Sequence, residues 1–89
     1  MASSPTPRPA RTADLEINEV ADGLVVYQAD PEQVHYLNNT AAVVFELCDG
    51  ELTVEQITDR VAEVFSLAEP PVAEVAACVA ELTLKGVLR

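Results

Sequence analysis

The sequence predicts an α+β domain, a three-stranded antiparallel sheet followed by three helices, because three short β-type runs precede three amphipathic helical runs. The segment Gln33–Gly50, QVHYLNNTAAVVFELCDG, carries most of this expectation. There a five-residue strand passes through a polar cap into an amphipathic helix that Asp-Gly stops. A hairpin before this segment and two separately capped helices after it complete the order.

Asp14 to Val20 reads as a weak edge strand, since Leu15 and Ile17 alternate but Val20 falls out of phase. Leu24 to Ala29, LVVYQA, is a stronger β run, rich in Val and Tyr. Asp22-Gly23 is expected to join them as a type I′ turn, whose central residues both need positive φ. Asp30-Pro31-Glu32 supplies a second turn, with Pro31 pre-set for its second position. Gln33 to Leu37 is then the third strand, with Val34 and Tyr36 on one side and His35 and Leu37 on the other.

Asn38 is suited to cap the first helix, and Ala41, Val44, Phe45 and Cys48 recur at helical spacing behind it. Gly50 is expected to end it in the left-handed conformation. Thr53 and Gln56 form a capping box for the second helix, whose Val54, Ile57, Val61, Val64 and Phe65 share one face. Ser66 to Glu69 connects to the third helix, which opens at Pro70-Pro71 and closes at Gly86. On that helix Val72, Val75, Ala76, Val79 and Leu82 gather on the expected core face, and Glu74, Glu81 and Lys85 on the wet one. Between them runs a flank of Ala73, Ala77, Ala80 and Leu84. Small side chains there would let another backbone approach closely, although alanine is also simply a good helix former at exposed positions.

Eighty-nine residues allow one domain with a small core. Residues 1–13, with Pro5, Pro7 and Pro9 among Ser, Thr and Ala, show neither apolar period nor caps and are expected to form a loose, disordered arm ahead of a folded domain at 14–89. No segment has the apolar length of a signal core or a membrane span, so the cytoplasm is the expected location and no membrane partner is expected. In residues 14–89 three cations, Arg60, Lys85 and Arg89, stand against fifteen carboxylates, a net charge of −12. That sign repels phosphate backbones and argues against nucleic acid as a partner. It favours a cationic peptide or protein surface, or else merely keeps the chain in solution.

Taken together, the LN-x-TA junction at Leu37, Asn38, Thr40 and Ala41, the LCDG stop at Leu47–Gly50, the TVEQI start at Thr53–Ile57 and ELTLKGVL at Glu81–Leu88 resemble the PqqD-like family over residues 14–89. That family comprises small peptide-binding domains also called precursor-peptide recognition elements. The resemblance implies a winged helix-turn-helix-like fold and a non-catalytic adaptor or peptide chaperone. Such a domain binds the leader of a ribosomally made precursor peptide and presents it to a modifying enzyme, among them radical enzymes that carry their own iron–sulfur cluster. By the same resemblance the leader adds a strand to the third strand, at Gln33, Val34, His35, Tyr36 and Leu37. It rests on the third helix at Val72, Ala73, Val75, Ala76, Ala77, Ala80 and Leu84. Strand addition of this kind takes register from main-chain hydrogen bonds and choice from side-chain pockets. Ala77 and Ala80, being small, are expected to set the depth of the trough. An unpaired edge could instead pair with its own copy, so the chain is expected as a monomer or an edge-paired homodimer.

Nothing in the sequence supports catalysis or a cofactor. Cys48 and Cys78 form no CxxC and cannot supply four ligands to a metal. His35, the one histidine, has no serine or cysteine motif near it. A winged-helix DNA-binding or protein-interaction module is the rival reading, since one fold hosts many functions. Pro70 to Glu81 contains no Arg or Lys, which a recognition helix would need. An acidic carrier with a prosthetic arm would need a serine at a helix start, whereas Ser66 is expected at a helix end.

Overall fold

The structure, a computed structural model, describes residues 8–29 and 32–89. Strands β1 (Leu15–Val20), β2 (Gly23–Ala29) and β3 (Glu32–Asn38) are followed by helices α1 (Asn39–Leu47), α2 (Val54–Val64) and α3 (Val72–Leu84). This is the expected order. The sheet is antiparallel in the order β1-β2-β3, so β2 is central and, among the described residues, β3 has a partner on one side only. Asp30 and Pro31, the expected second turn, lie outside the described residues.

The first hairpin differs from expectation by one position. Val20 pairs with Gly23, leaving Ala21 and Asp22 as the turn. Neither has positive φ, so the turn is not type I′. Gly23 serves a different need: it opens β2 opposite Asn38, where a Cβ would lie 1.8 Å from the Leu37 carbonyl oxygen. Only a residue without a side chain lets the two strands come so close.

Alternation across the sheet decides what is buried. Leu24 and Val26 pair with Leu37 and His35 on the inner face, and Leu24, Val26 and Leu37 are at most 3% exposed. Val25 and Tyr27 pair with Tyr36 and Val34 on the outer face, which no helix covers in this order of elements. The helices close the core with Val44 and Phe45 from α1, Ile57 and Val61 from α2, and Val75 and Leu82 from α3.

The caps form as the local chemistry dictates. Asn38 Oδ1 accepts from the Ala41 amide at 2.9 Å. Thr53 and Gln56 make the reciprocal capping box, at 3.2 and 2.9 Å. At the end of α3, Gly86 has φ +82, and the amides of Gly86 and Val87 donate to Thr83 and Leu82. That is a Schellman motif, sealed by buried Leu82 and Val87. Helix α1 ends earlier than its glycine suggests, with Cys48 as the C-cap. Gly50 does take a left-handed φ of +85, but beyond the cap, where its amide donates to the Pro9 carbonyl.

That bond belongs to the largest departure from expectation. Residues 8–12 are not a loose arm. The Arg11 amide donates to Cys48, the Thr12 amide to Val87 and the Arg89 amide to Ala10, each within 3.0 Å. The arm thereby laces the C-terminal tail to the end of α1. Arg11 extends its guanidinium to the carbonyls of Phe45 (3.1 Å) and Glu46 (2.7 Å) and lies over the Phe45 ring. A cation at a helix C-terminus satisfies carbonyls that the helix cannot and opposes its dipole. Prolines excluded a helix here without excluding main-chain pairing. Residues 1–7, the rest of the expected arm, lie outside the described residues. Arg11→Ala should lower stability by about 1–3 kcal/mol, read as a lower urea midpoint at unchanged slope.

Two helices are rotated from the pattern. On α2, Val64 is 59% exposed, and Phe65, just past its end, is 36% exposed. On α3, Val75 and Leu82 face the core, whereas Val72 is 65% exposed and Ala76 is exposed. The core stripe of α3 therefore runs through Val75, Cys78 and Leu82, one flank away from the predicted centre.

Candidate functional site

Among the described residues β3 pairs only with β2, so its other edge there retains unpaired main-chain donors and acceptors. No Cα of α3 approaches within 8 Å of a Cα of β3. A groove with a cavity of about 370 Å³ lies between the junction of β3 with α1 and helix α3, lined by Asn38, Thr40 and Ala41 on one side and Glu74, Ala77, Cys78 and Glu81 on the other; Gln33 to Leu37 line no part of it. The N-cap of α1 thus turns the chain from strand to helix at the head of the groove, and α3 forms its far wall.

On the strand, Gln33, Val34 and Tyr36 are exposed, His35 is half-buried and Leu37 is buried. Leu37 can offer a guest its main chain alone. His35 Nε2 lies 3.4 Å from Gln28 Oε1, a bond whose donor depends on the tautomer. The Tyr36 hydroxyl donates to the Asp22 carbonyl at 3.1 Å. Partial desolvation, with the Asp22 side chain and its charge adding to it, pushes the Tyr36 phenol up.

The helix residues separate into four groups. Ala77 lines the groove. Val75 is fully buried and is a core residue, which corrects its assignment to the guest surface. Val72 and Ala76 line a smaller cavity against the start of α2, on another side of the helix. Ala73, Ala80 and Leu84 are exposed and line no part of the groove. At 100° per residue they lie opposite Val75 and Leu82, pointing away from the core. The groove wall is instead the sector through Glu74, Ala77, Cys78 and Glu81, which was read as mostly wet. Ala77, shared by both sectors, was the available signal.

Electrostatics at the groove are one-sided. The sequence has no Lys or Arg from Thr12 to Asp59. Among the described residues a single ion pair occurs, Lys85 with Glu81 at 3.3 Å. Cys78 and Cys48 are both free thiols. Burial pushes the Cys78 thiol up, with Glu81 adding to it and Lys85 opposing. Cys48 donates to the Val44 carbonyl at 3.0 Å, and burial pushes it up to about 11. A thiol so placed is a poor nucleophile. Iodoacetamide at pH 8 should therefore leave Cys48 unmodified in the folded chain and label it only on unfolding, as peptide mass mapping would read. No group of three or more metal-ligating side chains occurs among the described residues. Among the described residues no helix is long and apolar enough to cross a membrane.

Among the described residues, a strand edge left unpaired and ending at a groove walled by α3, with no metal-ligating cluster, defines a small α+β domain with an open sheet edge. The family model described as Coenzyme PQQ synthesis protein D (PqqD) matches residues 23–88. The chain belongs to the PqqD family. Neither curated proteins nor solved structures gave a significant match.

Proposed function

We propose that this chain is a non-catalytic adaptor that binds the leader of a ribosomally synthesised precursor peptide as a fourth strand on β3 and presents it to a modifying enzyme. The observation that carries this reading is the edge of β3, unpaired among the described residues, which ends at Asn38 at a groove whose far wall is α3. Membership of the PqqD family supports a peptide-binding adaptor role in general. A strand added to β3 would set alternate side chains toward the groove and the others beside Val34 and Tyr36. Radical enzymes are among the partners this reading allows.

The acidic surface supports a basic guest or a basic enzyme face. Association should slow markedly as salt rises from about 20 to 500 mM, because charges separated by more than ~10 Å are screened at 0.1 M. Stopped-flow mixing with labelled candidate leaders checks this, and a rate independent of salt would contradict it. The winged-helix-like fold that the family resemblance implies keeps DNA binding as the rival, and α3 weighs against it: Glu74 and Glu81 stand there, and its one flanking lysine is paired. Titration of the purified chain with labelled leaders and with duplex DNA separates the two readings. Sub-micromolar DNA binding without leader binding would reverse the choice.

A further inference from the structure

Apolar side chains stay uncovered at Phe65, where the helical pattern expects core, and at Leu67 in the connection from α2 to α3. Phe65 and Leu67 are 36% and 44% exposed. With Val61, Pro71, Thr40 and Glu74 they line a second cavity of about 370 Å³. That volume is at the lower end of small-ligand clefts, roughly 300–1,000 Å³. Ser66, at φ +53, turns the chain so that the side chains before and after it both line the cavity. The Leu67 amide then donates back to the Ala62 carbonyl at 2.9 Å. Thr40 and Glu74 line this cavity and the β3–α3 groove alike, so the two meet beside the first turn of α1.

We infer that this cavity is a second subsite of the groove, taking one bulky aliphatic or aromatic side chain of the guest just beyond its β-paired segment. The inference rests on the strand-addition reading above. Both strand pairs of the sheet are antiparallel, and a guest continuing that pattern passes Asn38 with its N-terminal end. Beyond Asn38 its path meets Thr40 and then the cavity. Glu74 stands at the junction, with Glu81 on the same groove and the nearby Lys85 already paired to Glu81 at 3.3 Å. Charge complementarity therefore calls for Lys or Arg at that point of the guest. The occupant is a peptide whose order, from its N-terminus, is a bulky apolar residue, a basic residue and a β-forming segment.

The test is a display selection of a randomised twelve-residue peptide library against the full chain. Enriched peptides should show that order. Phe65→Ser and Leu67→Ser, at partly exposed positions and each checked by thermal melting, should bind those peptides about tenfold more weakly or worse, the effect of losing one buried apolar side chain. Both variants should match the parent chain on peptides whose apolar residue is replaced by alanine. Enrichment without the upstream apolar residue, or unchanged affinity in both variants, overturns the inference. Ala77→Glu separates the two layers: if it spares the selected peptides, strand addition in the groove is wrong and the shared site falls with it. A selection that enriches no peptide overturns both.

Discussion

Gly23→Val is expected to leave the chain largely unfolded at room temperature, and Gly23→Ala to lower stability by more than about 3 kcal/mol. A Cβ at this position would lie 1.8 Å from the Leu37 oxygen, 2.9 Å from the Leu37 carbonyl carbon and 3.1 Å from the Asn38 Cα. All three are backbone atoms, so no side chain can swing aside. Relief requires β2 and β3 to part just where β3 turns into α1. That junction holds Leu37, 2% exposed, and the Asn38 cap. Parting the strands would thus uncover core and loosen the cap together. A domain of this size has only ~5–15 kcal/mol in reserve. Far-UV circular dichroism and urea titration give the answer, and a Gly23→Ala chain with the parent midpoint would contradict the close approach.

The second large effect concerns binding. Ala77→Glu should weaken leader binding by about a hundredfold or more, equivalent to roughly 3 kcal/mol, with an unchanged far-UV spectrum. Ala77 is exposed and lines the groove, so its replacement fills space that the guest needs. It also sets a third carboxylate near Glu74 and Glu81, which line the same groove. Within the helix, alanine to glutamate is a small change in propensity. Ala80→Glu adds the same charge on the side of α3 that points away from the core, and should alter affinity by no more than about threefold. Fluorescence anisotropy with labelled leaders distinguishes them. Equal losses in the two variants would mean that net charge, rather than occupancy of the groove, governs binding.

That contrast marks how far the sequence could be read. The caps at Asn38, Thr53 with Gln56, and Gly86 were legible because each is a local bargain between a side chain or a glycine and orphan backbone groups a few residues away. The element order followed from them. The hairpin was misplaced by one residue because the demand on Gly23 comes from Leu37, on another strand, and not from turn geometry. The rotation of α3 was illegible because alanines and valines occur on several of its sides, which leaves the apolar pattern without a sharp direction. Consequently Ala77 is the one residue of the expected helix surface that lines the groove, Glu74, Cys78 and Glu81 were not singled out, and Val75, read from its spacing as core, had been given to the guest surface by resemblance alone. The pinned arm was missed for a different reason. Main-chain pairing of Ala10 and Arg11 leaves no periodic signature in six consecutive side chains, and only Arg11 carried a chemical hint.

The bond between Ala10 and Arg89 brings the two extremities of the fold to one point. An enzyme domain tethered through either extremity would therefore start from the same place and sweep the same distance to the groove. Its effective concentration there would be set by linker length and not by which end is joined. Covalent fusions in both orders should accordingly be interchangeable in this architecture.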